Sequence, residues 1–203
     1  MRGFSYVLPR DYGFAPNPFG DFCTLATCKP QIRGSASVGD WVIGCGSAMY
    51  DMRKEIVYAM QVSEKITFDE YWLDERFQYK KPVMNGSLKQ MYGDNIYHRV
   101  DNLWCQADSH HSKTDGSVNH DNLDKDTSYN SVLISSVFYY FGQAPIELPA
   151  DIQGMIAKVG RGTKAIGEEA LVVFVKYLEH NYETGISDFP MMFEKFERYD
   201  GKS

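Results

Sequence analysis

Hydrophobic residues in the first three quarters of the chain occur in short runs that are rich in β-branched and aromatic side chains. Such runs, bounded by Gly, Pro, Asn and Asp, are typical of β-strands. Gly44 and Gly46 lie in and just after one run and predict a bulge or a close approach of the backbone to another group. The runs predict strands at residues 4–8, 41–45, 56–63 and 132–141.

Helical spacing replaces this pattern at three places. Thr67 and Glu70 have the spacing of a capping box, which predicts a short helix over residues 68–74. Residues 151–159 are weakly helical and end at a Gly-Arg-Gly sequence. Residues 168–183 have a strong helical pattern, and the apolar positions expected to face the sheet are Leu171, Val172, Val175 and Leu178.

Together these elements predict an α+β fold. A sheet curled by glycine bulges, with a short helix inserted after the third strand, indicates a small β-pseudobarrel. We therefore predict a barrel domain over residues 1–148 and a helical carboxy-terminal extension over residues 149–203 that packs on the barrel.

Composition agrees with a globular protein, because 43% of the 203 residues are hydrophobic and 24% are charged. No apolar run reaches the roughly 18 residues that a membrane span needs. The amino terminus lacks the apolar segment of a secretory signal. These features predict a soluble, cytoplasmic protein. Its four cysteines lack close CxxC spacing, so reduced thiols are expected.

The net charge of −6 is unevenly distributed, since the first hundred residues carry +1 and the remainder −7. A protein that holds long duplex DNA by charge is usually basic, so extended backbone binding is not favoured. Recognition of one base or nucleotide in a pocket does not need such a field. The concentrated basic group of the acidic half is either a solvated surface or a set of phosphate contacts, at Lys158, Arg161 and Lys164.

Residues 85–112 contain many polar and aromatic side chains and few aliphatic ones, which favours a binding site over a core segment. Aromatic rings can stack on a flat ligand while amides, a carboxylate and imidazoles bind its edges, a combination that suits a nucleobase. The candidate nucleotide-binding residues of this tract are Asn85, Ser87, Asn95, Tyr97, His98, Trp104, Gln106, Asp108, His110 and His111.

Two other interpretations of this tract stay open. The first is a polar loop held by its own hydrogen bonds, with Trp104 in the core. A metal could be bound by His98, Asp108 and His110, but His110 and His111 would point to opposite faces of an extended strand. A zinc site from Cys23, Cys28, Cys105 and His98 is a further alternative that lacks a second close ligand pair. We therefore assign no metal and expect no cofactor.

Residues 22–33 add Cys23, Thr24, Lys29 and Arg33 to the candidates, with Lys29 and Arg33 as phosphate contacts. A nucleophilic Cys23 or Cys28 would need a histidine or another neighbour that lowers its pKa, and the sequence places none nearby. Buried, unreactive thiols are therefore expected. Ser47 lies in a glycine-rich turn that would let a ligand approach the backbone, although a structural bulge explains the turn equally well.

Long motifs of the chain resemble one known family. They are YVLPRDYGFAPNPFGDFCTLATCKPQIRGSASVGDWVIGCGS, IVYAMQVSEKITFDEYW, KKPVMNGSLKQMYGDNIYHR and WCQADSHHS. Together they resemble the second family of nucleotide-modification-associated domains, over residues 6–164. The resemblance implies a context of base modification more firmly than it implies a reaction.

A broader likeness involves the order of two motifs. The VGDWVIG strand followed by IVYAMQVSEKITFDEYW is similar to the organisation of EVE, ASCH and PUA domains. This similarity implies a pseudobarrel that binds nucleic acid, and in EVE-type members the pocket holds a flipped, modified base. A shared fold does not by itself determine a function.

The leading hypothesis is a binding module that recognises a modified nucleobase or nucleotide, alone or in nucleic acid, in a DNA-modification or phage-defence context. No membrane partner is expected. The alternative is an enzyme acting on a nucleobase or nucleotide, with His98, Asp108 or His110 as general acid or base. We rank it second because no nucleophile and base have a recognised spacing and no GxxxxGK loop occurs. A protein-interaction subunit that uses the acidic loop at residues 115–126 is the third.

Overall fold

Three β-sheets and their flanking helices form an α+β fold in the computed structural model, which describes residues 1–199. The strands, in chain order, are β1 Gly3–Val7, β2 Cys23–Leu25, β3 Trp41–Cys45, β4 Ile56–Gln61, β5 Glu64–Ile66, β6 Tyr97–Val100, β7 Leu103–Gln106, β8 Val132–Ser135, β9 Val137–Tyr140, β10 Thr163–Ile166 and β11 Gly185–Ile186.

Six α-helices lie in the described part of the chain, with two 3-10 helices at Ala48–Tyr50 and Glu75–Lys80. The predicted capping box is confirmed, because the Thr67 hydroxyl accepts from the Glu70 N–H at 3.2 Å and the Glu70 carboxylate accepts from the Thr67 N–H at 2.7 Å. The α-helices are α1 Pro30–Ser35, α2 Phe68–Leu73, α3 Leu88–Met91, α4 His120–Thr127, α5 Ala150–Ile156 and α6 Glu168–Asn181.

The largest sheet has the strand order β10-β1-β3-β4-β9-β11. Its β1–β3 and β9–β11 pairs are parallel and the other pairs are antiparallel. A second sheet has the order β2-β8-β5, and β6 pairs with β7. The predicted α+β class is confirmed, but the PUA/EVE-like pseudobarrel is not. Within residues 1–199 no closed barrel is found, since β10 and β11 are the two edges of the main sheet.

One predicted strand has the expected bounds, and another is divided by a tertiary contact. β3 has the predicted bounds, and the expected bulge lies between Gly44 and Cys45. A Cβ on Gly44 would lie 2.3 Å from the Tyr58 ring, so glycine permits this close approach. The predicted strand at 132–141 is divided at Ser136, whose N–H donates to the Ser63 hydroxyl. Its halves therefore join different sheets.

The main sheet is buried on both faces. On one face α5 and α6 pack against Trp41 and Ile43, with Leu171, Phe174 and Leu178 of α6 buried. The other face packs against the second sheet and supplies a tyrosine-rich core. Residues beyond 149 contribute β10 and β11 to the main sheet, and the proposed domain boundary at 148 stays a prediction. Within residues 1–199, no helix combines the length and apolarity needed to cross a lipid bilayer.

Candidate functional site

A cavity of about 470 Å³ opens where β1 and β3 end. Because β1 and β3 are parallel, their carboxyl ends lie at the same end of the sheet, and Ser47 follows β3 there. β10 is antiparallel to β1, so the segment that precedes β10 also lies at this end. We call this the basic cavity, because its charged lining residues are Lys29, Arg53, Lys158 and Arg161.

A second cavity of about 400 Å³ adjoins the first, and the two share Pro9 and Lys29 as lining residues. The segment after β1, the start of α1, the turn before α4 and the last described residues supply its walls. Arg10 and Lys125 contribute positive charge. We call it the aromatic cavity, and the lining residues that define it are Tyr12, Phe14, Cys28, His110, His111 and Tyr199.

The peptide that joins β2 to α1 is strained where the two cavities meet. Cys28 and Lys29 have φ angles of 57° and 41°, in the left-handed region that side chains with a Cβ rarely occupy. Lys29 Nζ lies 4.5 Å from the centroid of the Tyr6 ring. Burial lowers the pKa of the Lys29 ammonium. A ligand in either cavity would meet this side chain.

One wall of the aromatic cavity contains a linked thiol, imidazole and carboxylate. Cys28 Sγ lies 3.8 Å from His111 Nε2, and His111 Nδ1 lies 2.9 Å from Asp126 Oδ2. Burial opposes protonation of His111, but the charge of Asp126 and the adjacent Cys28 outweigh it and raise its pKa to about 9. Burial also opposes ionisation of Asp126, but His111 and Arg33 lower the pKa of its carboxyl. His111 and Asp126 therefore form a buried ion pair at neutral pH.

His110 is neutral, whereas the neighbouring His111 is protonated. Its Nδ1 lies 2.6 Å from the Glu197 carbonyl oxygen, and because a carbonyl only accepts, Nδ1 carries the proton. Burial, followed by the charge of His111, lowers the pKa of His110 to about 3. A neutral imidazole with an accepting Nε2 thus lines the cavity at physiological pH.

The prediction that the His110 and His111 side chains point to opposite faces of an extended strand is wrong. His110 and His111 occupy a turn instead of a strand, their ring centroids are 5.6 Å apart, and both line the aromatic cavity. The backbone turns here because the Ser112 N–H donates to the Ser109 carbonyl oxygen at 3.1 Å.

The expectation that Cys28 lacks a histidine neighbour is also wrong. His111 approaches from 83 positions away in the sequence, a separation at which linear proximity carries no signal. Sequence reasoning also missed Tyr12, Phe14 and Arg53 as lining residues. The dense aromatic and proline content of the segment after β1 was the available signal for Tyr12 and Phe14.

Arg33 and Tyr97, both candidate ligand contacts, are buried and bind other parts of the protein. Arg33 donates from Nε to the Cys28 carbonyl oxygen at 2.8 Å and from Nη2 to the Asp126 carbonyl oxygen at 2.5 Å. The Tyr97 hydroxyl donates to Asp126 Oδ2 at 3.0 Å. These side chains hold the residues that line the cavity.

Cys23, Thr24 and Asn95 lie in a closed part of the core. The Thr24 hydroxyl donates to Asp94 Oδ2 at 2.7 Å, and Cys23 Sγ lies 3.9 Å from Met60 Sδ. The Asn95 amide donates to the carbonyl oxygens of Tyr71 and Phe77.

The remaining candidates in residues 85–112 lie apart from both cavities. The His98 ring stacks on Trp72 with centroids 3.9 Å apart, and Trp104 packs edge-on against Phe68. Gln106 Oε1 accepts from the Asn119 N–H at 2.9 Å.

Three surface positions complete the set. Asp108 pairs with Arg198. Asn85 is exposed, and Ser87 forms a capping box with Gln90.

The three basic candidates near the carboxy-terminal part divide between two roles. Lys158 and Arg161 line the basic cavity. Lys164 instead donates from Nζ to the Gly154 carbonyl oxygen at 2.9 Å, beside α5. The cavity therefore receives two of these three cations, and Lys164 offers a control for them.

Neither metal alternative is assembled in the described residues. Across residues 1–199, no three His, Cys, Asp or Glu side chains are grouped so that they could hold a metal ion. The candidate ligands Cys23, Cys105 and His98 are instead engaged with Met60, the Leu103 carbonyl oxygen and Trp72.

Comparison with protein families places the chain beside known proteins. The model of a family described as nucleotide modification associated domain 2 matches residues 1–197. No curated protein and no solved structure matches the chain. The match covers both cavities apart from Tyr199.

Proposed function

Because the chain belongs to the nucleotide modification associated domain 2 family, we propose that it binds a nucleotide carrying a modified base, with the base in the aromatic cavity and the phosphate in the basic cavity. The observation that carries this proposal is the adjacency of the two cavities across Lys29. A nucleotide has the same two-part chemistry, a flat ring and an anion joined by a short sugar.

The aromatic cavity supports the base half of the proposal. Its volume of about 400 Å³ lies within the range of small-ligand pockets, and its rings offer flat surfaces for stacking. His110 Nε2 supplies a hydrogen-bond acceptor, because its Nδ1 proton is engaged by Glu197. Gln31 adds an amide that can donate and accept. These groups can read the edge of a base.

The basic cavity supports the phosphate half. Lys29, Arg53, Lys158 and Arg161 surround it, and arginine and lysine are the usual side-chain partners of phosphate oxygens. The cations converge on one recess instead of forming a long stripe, which suits a single nucleotide better than a duplex backbone. This agrees with the acidic net charge of −6.

The resemblance to EVE-type readers extends this proposal from free nucleotides to a base in nucleic acid. A base flipped out of a strand and a free nucleotide present the same ring and phosphate, so either source fits the paired cavities. We infer a role in recognising modified nucleotides in a DNA-modification or phage-defence setting.

The test compares two cations that lie three residues apart. We expect a deoxynucleoside 5′-monophosphate to bind in calorimetry, with Arg161→Ala weakening its affinity about tenfold because one charge-assisted hydrogen bond is lost. Lys164→Ala should change the affinity little, since Lys164 Nζ is bonded to the Gly154 carbonyl oxygen. Binding of the corresponding nucleoside, which lacks phosphate, should be insensitive to both substitutions.

Absence of saturable binding to modified and unmodified nucleotides and oligonucleotides would refute the proposal. Equal losses in Arg161→Ala and Lys164→Ala would refute the phosphate assignment. Comparing a free monophosphate with a single-stranded oligonucleotide of the same base separates the two sources of ligand.

A further inference from the structure

Cys28 occupies a sharp turn between a strand and a helix. β2 ends at Leu25, Cys28 has a φ of 57°, and α1 begins at Pro30. Strained turns of this kind present a side chain away from the surrounding backbone and recur at the nucleophiles of hydrolytic enzymes. Here the half-buried Cys28 side chain lines the aromatic cavity.

The order of groups behind the thiol matches a nucleophile, a base and an orienting acid. The Asp126 carboxylate accepts from His111 Nδ1 at 2.9 Å, which leaves His111 Nε2 directed at Cys28 Sγ at 3.8 Å. His111 and Asp126 are 2% and 1% exposed, and His111 lines the same cavity as Cys28. A nucleophile and base in hydrogen-bond reach, with the base held by a third group, define the geometry of nucleophilic catalysis.

Other buried contacts fix this geometry. Asp126 Oδ1 accepts from the Cys28 N–H at 2.8 Å, so the carboxylate holds both the backbone of the thiol and the imidazole. Tyr97 donates to the other carboxylate oxygen, and Arg33 joins the carbonyl oxygens of Cys28 and Asp126. Charged and titratable groups also surround the Cys28–His111 pair, and they include Tyr6, Arg10, Lys29, Arg33, Tyr97, His110, Lys125 and Tyr199.

We propose that Cys28 is a catalytic nucleophile, activated by His111 and directed at an unsaturated carbon, bonded to oxygen or nitrogen, of the base or of a group carried on it. Asp126 is a positioning residue that orients His111. The identity of the ligand rests on the proposed nucleotide binding, whereas the reactivity of the thiol does not.

The step conserves atoms and charge. The Cys28 thiolate gives an electron pair to the carbon and forms an S–C bond, while the π pair of the C=O or C=N group moves to its heteroatom. The His111 imidazolium gives its Nε2 proton to that heteroatom and becomes neutral. The product is a neutral covalent adduct, and no oxidant, reductant or co-reactant is consumed.

Alkylation by limiting iodoacetamide tests the thiol without a substrate, because the thiolate is the reacting form. We expect Cys28 of the intact chain to react at pH 6 about tenfold faster than Cys105. Cys105 is also half-buried, and its Sγ contacts the Leu103 carbonyl oxygen, so it is a control within the same molecule. Peptide mass spectrometry measures both rates, and parallel pH profiles for the two cysteines would overturn the proposal.

His111→Gln should lower the Cys28 rate at pH 6 about tenfold and leave the Cys105 rate unchanged. An unchanged Cys28 rate in the folded variant would overturn the role of His111. If this variant does not fold, the pH profile of the unsubstituted chain decides the proposal.

A mixture of the four 2′-deoxynucleoside 5′-monophosphates separates this proposal from the preceding one. We expect saturating nucleotide to slow Cys28 alkylation several-fold and to leave the alkylation of Cys105, which lines neither cavity, unchanged. Binding without protection would overturn the placement of the base against Cys28. A reactive Cys28 in a protein that binds neither these nucleotides nor modified nucleotides and oligonucleotides would support the nucleophile and refute the proposed binding function.

Discussion

Two buried aspartates, Asp94 and Asp126, form the centres of polar clusters that differ in access to a cavity. Asp94 accepts from the Thr24 and Tyr71 hydroxyls at 2.7 and 2.8 Å. Asp126 accepts from Tyr97 at 3.0 Å and from His111 at 2.9 Å. Each carboxylate thus has a tyrosine and further donors, but His111 lines the aromatic cavity and the Asp94 partners do not.

Burial disfavours the charged form of both cationic partners, but their net pKa shifts have opposite directions. Lys80 lies near Asp94, and burial lowers its pKa to about 8 despite that charge. His111 contacts Asp126 directly, and the pKa of its imidazole is raised to about 9. Burial raises the pKa of Asp94, whereas contact with His111 and Arg33 lowers that of Asp126 despite burial. In the closed cluster around Asp94 the effect of burial therefore outweighs the attraction between the charges, whereas the open cluster around Asp126 maintains a charged pair beside a thiol.

We expect the largest effect from a substitution at the centre of the closed cluster, Asp94. Asp94→Ala removes the acceptor of the buried Thr24 and Tyr71 hydroxyls and the carboxylate that lies near the buried Lys80 ammonium, and it should lower the free energy of unfolding by about 3–5 kcal/mol in urea denaturation. The partly exposed pair of Asp108 with Arg198 is the matched control, and Asp108→Ala should change stability by less than about 1 kcal/mol. A loss for Asp94→Ala as small as the control's would show that Asp94 is not a structural centre.

The pH dependence of stability sharpens the contrast. The folded-state pKa of His111 is raised above 6.5, to about 9, so the folded protein binds more protons than the unfolded chain between these values. The His111 contribution is therefore complete below pH 6.5 and is lost as the pH rises through 9. Between pH 6.5 and 8 the unfolding free energy should fall by about 2 kcal/mol.

Lys80 has the opposite sign, because its lowered pKa makes stability rise from about pH 8 towards 10.5. His110, whose folded pKa is lowered to about 3, also makes stability rise slightly just above pH 6.5, where it titrates in the unfolded chain. A fall between pH 6.5 and 8 is therefore the signature of His111, and urea denaturation of His111→Gln across this interval should show no fall. A decline that persists in that variant would assign the proton to another group.

Local sequence predicted the elements whose determinants lie within a few residues. The bounds of β3 and the Thr67–Glu70 capping box were both readable from the sequence, since the strand propensity of a short apolar run and cap chemistry involve near neighbours. The split of residues 132–141 was not, because Ser136 bonds to Ser63, 73 positions away. Pairing with distant strands decided which sheet each half joined.

The candidate site residues were also only partly predictable from local sequence. Lys29, Ser47, Lys158 and Arg161 are predicted site residues that line the basic cavity. Arg33 is one that does not, because its guanidinium binds main-chain carbonyl oxygens in the interior. Residue type indicates that a side chain can bind an anion or a ring, but packing decides whether a ligand or the protein itself is bound.

We expect the smallest effects on the unfolding free energy from substitutions of two cysteines, one beside each aspartate cluster. Cys23 is buried next to Thr24, and burial raises the pKa of its thiol to about 12. Cys23→Ser should therefore lower the unfolding free energy by about 1 kcal/mol, because a hydroxyl is more costly to bury. Cys28→Ser should change it by less than about 0.5 kcal/mol, since a hydroxyl there can still bond to His111.

Reactivity should reverse this order. Native-state alkylation should leave Cys23 unmodified and label Cys28, because Cys28 lines the cavity while Cys23 is 0% exposed. Urea denaturation and peptide mass spectrometry on the same two variants measure both quantities. If Cys28→Ser were the more destabilising substitution, or if Cys23 were labelled in the folded protein, the distinction between a closed and an open cluster would fail. The cavity beside Asp126 would then be part of the structural core, with no separate chemical role for its thiol.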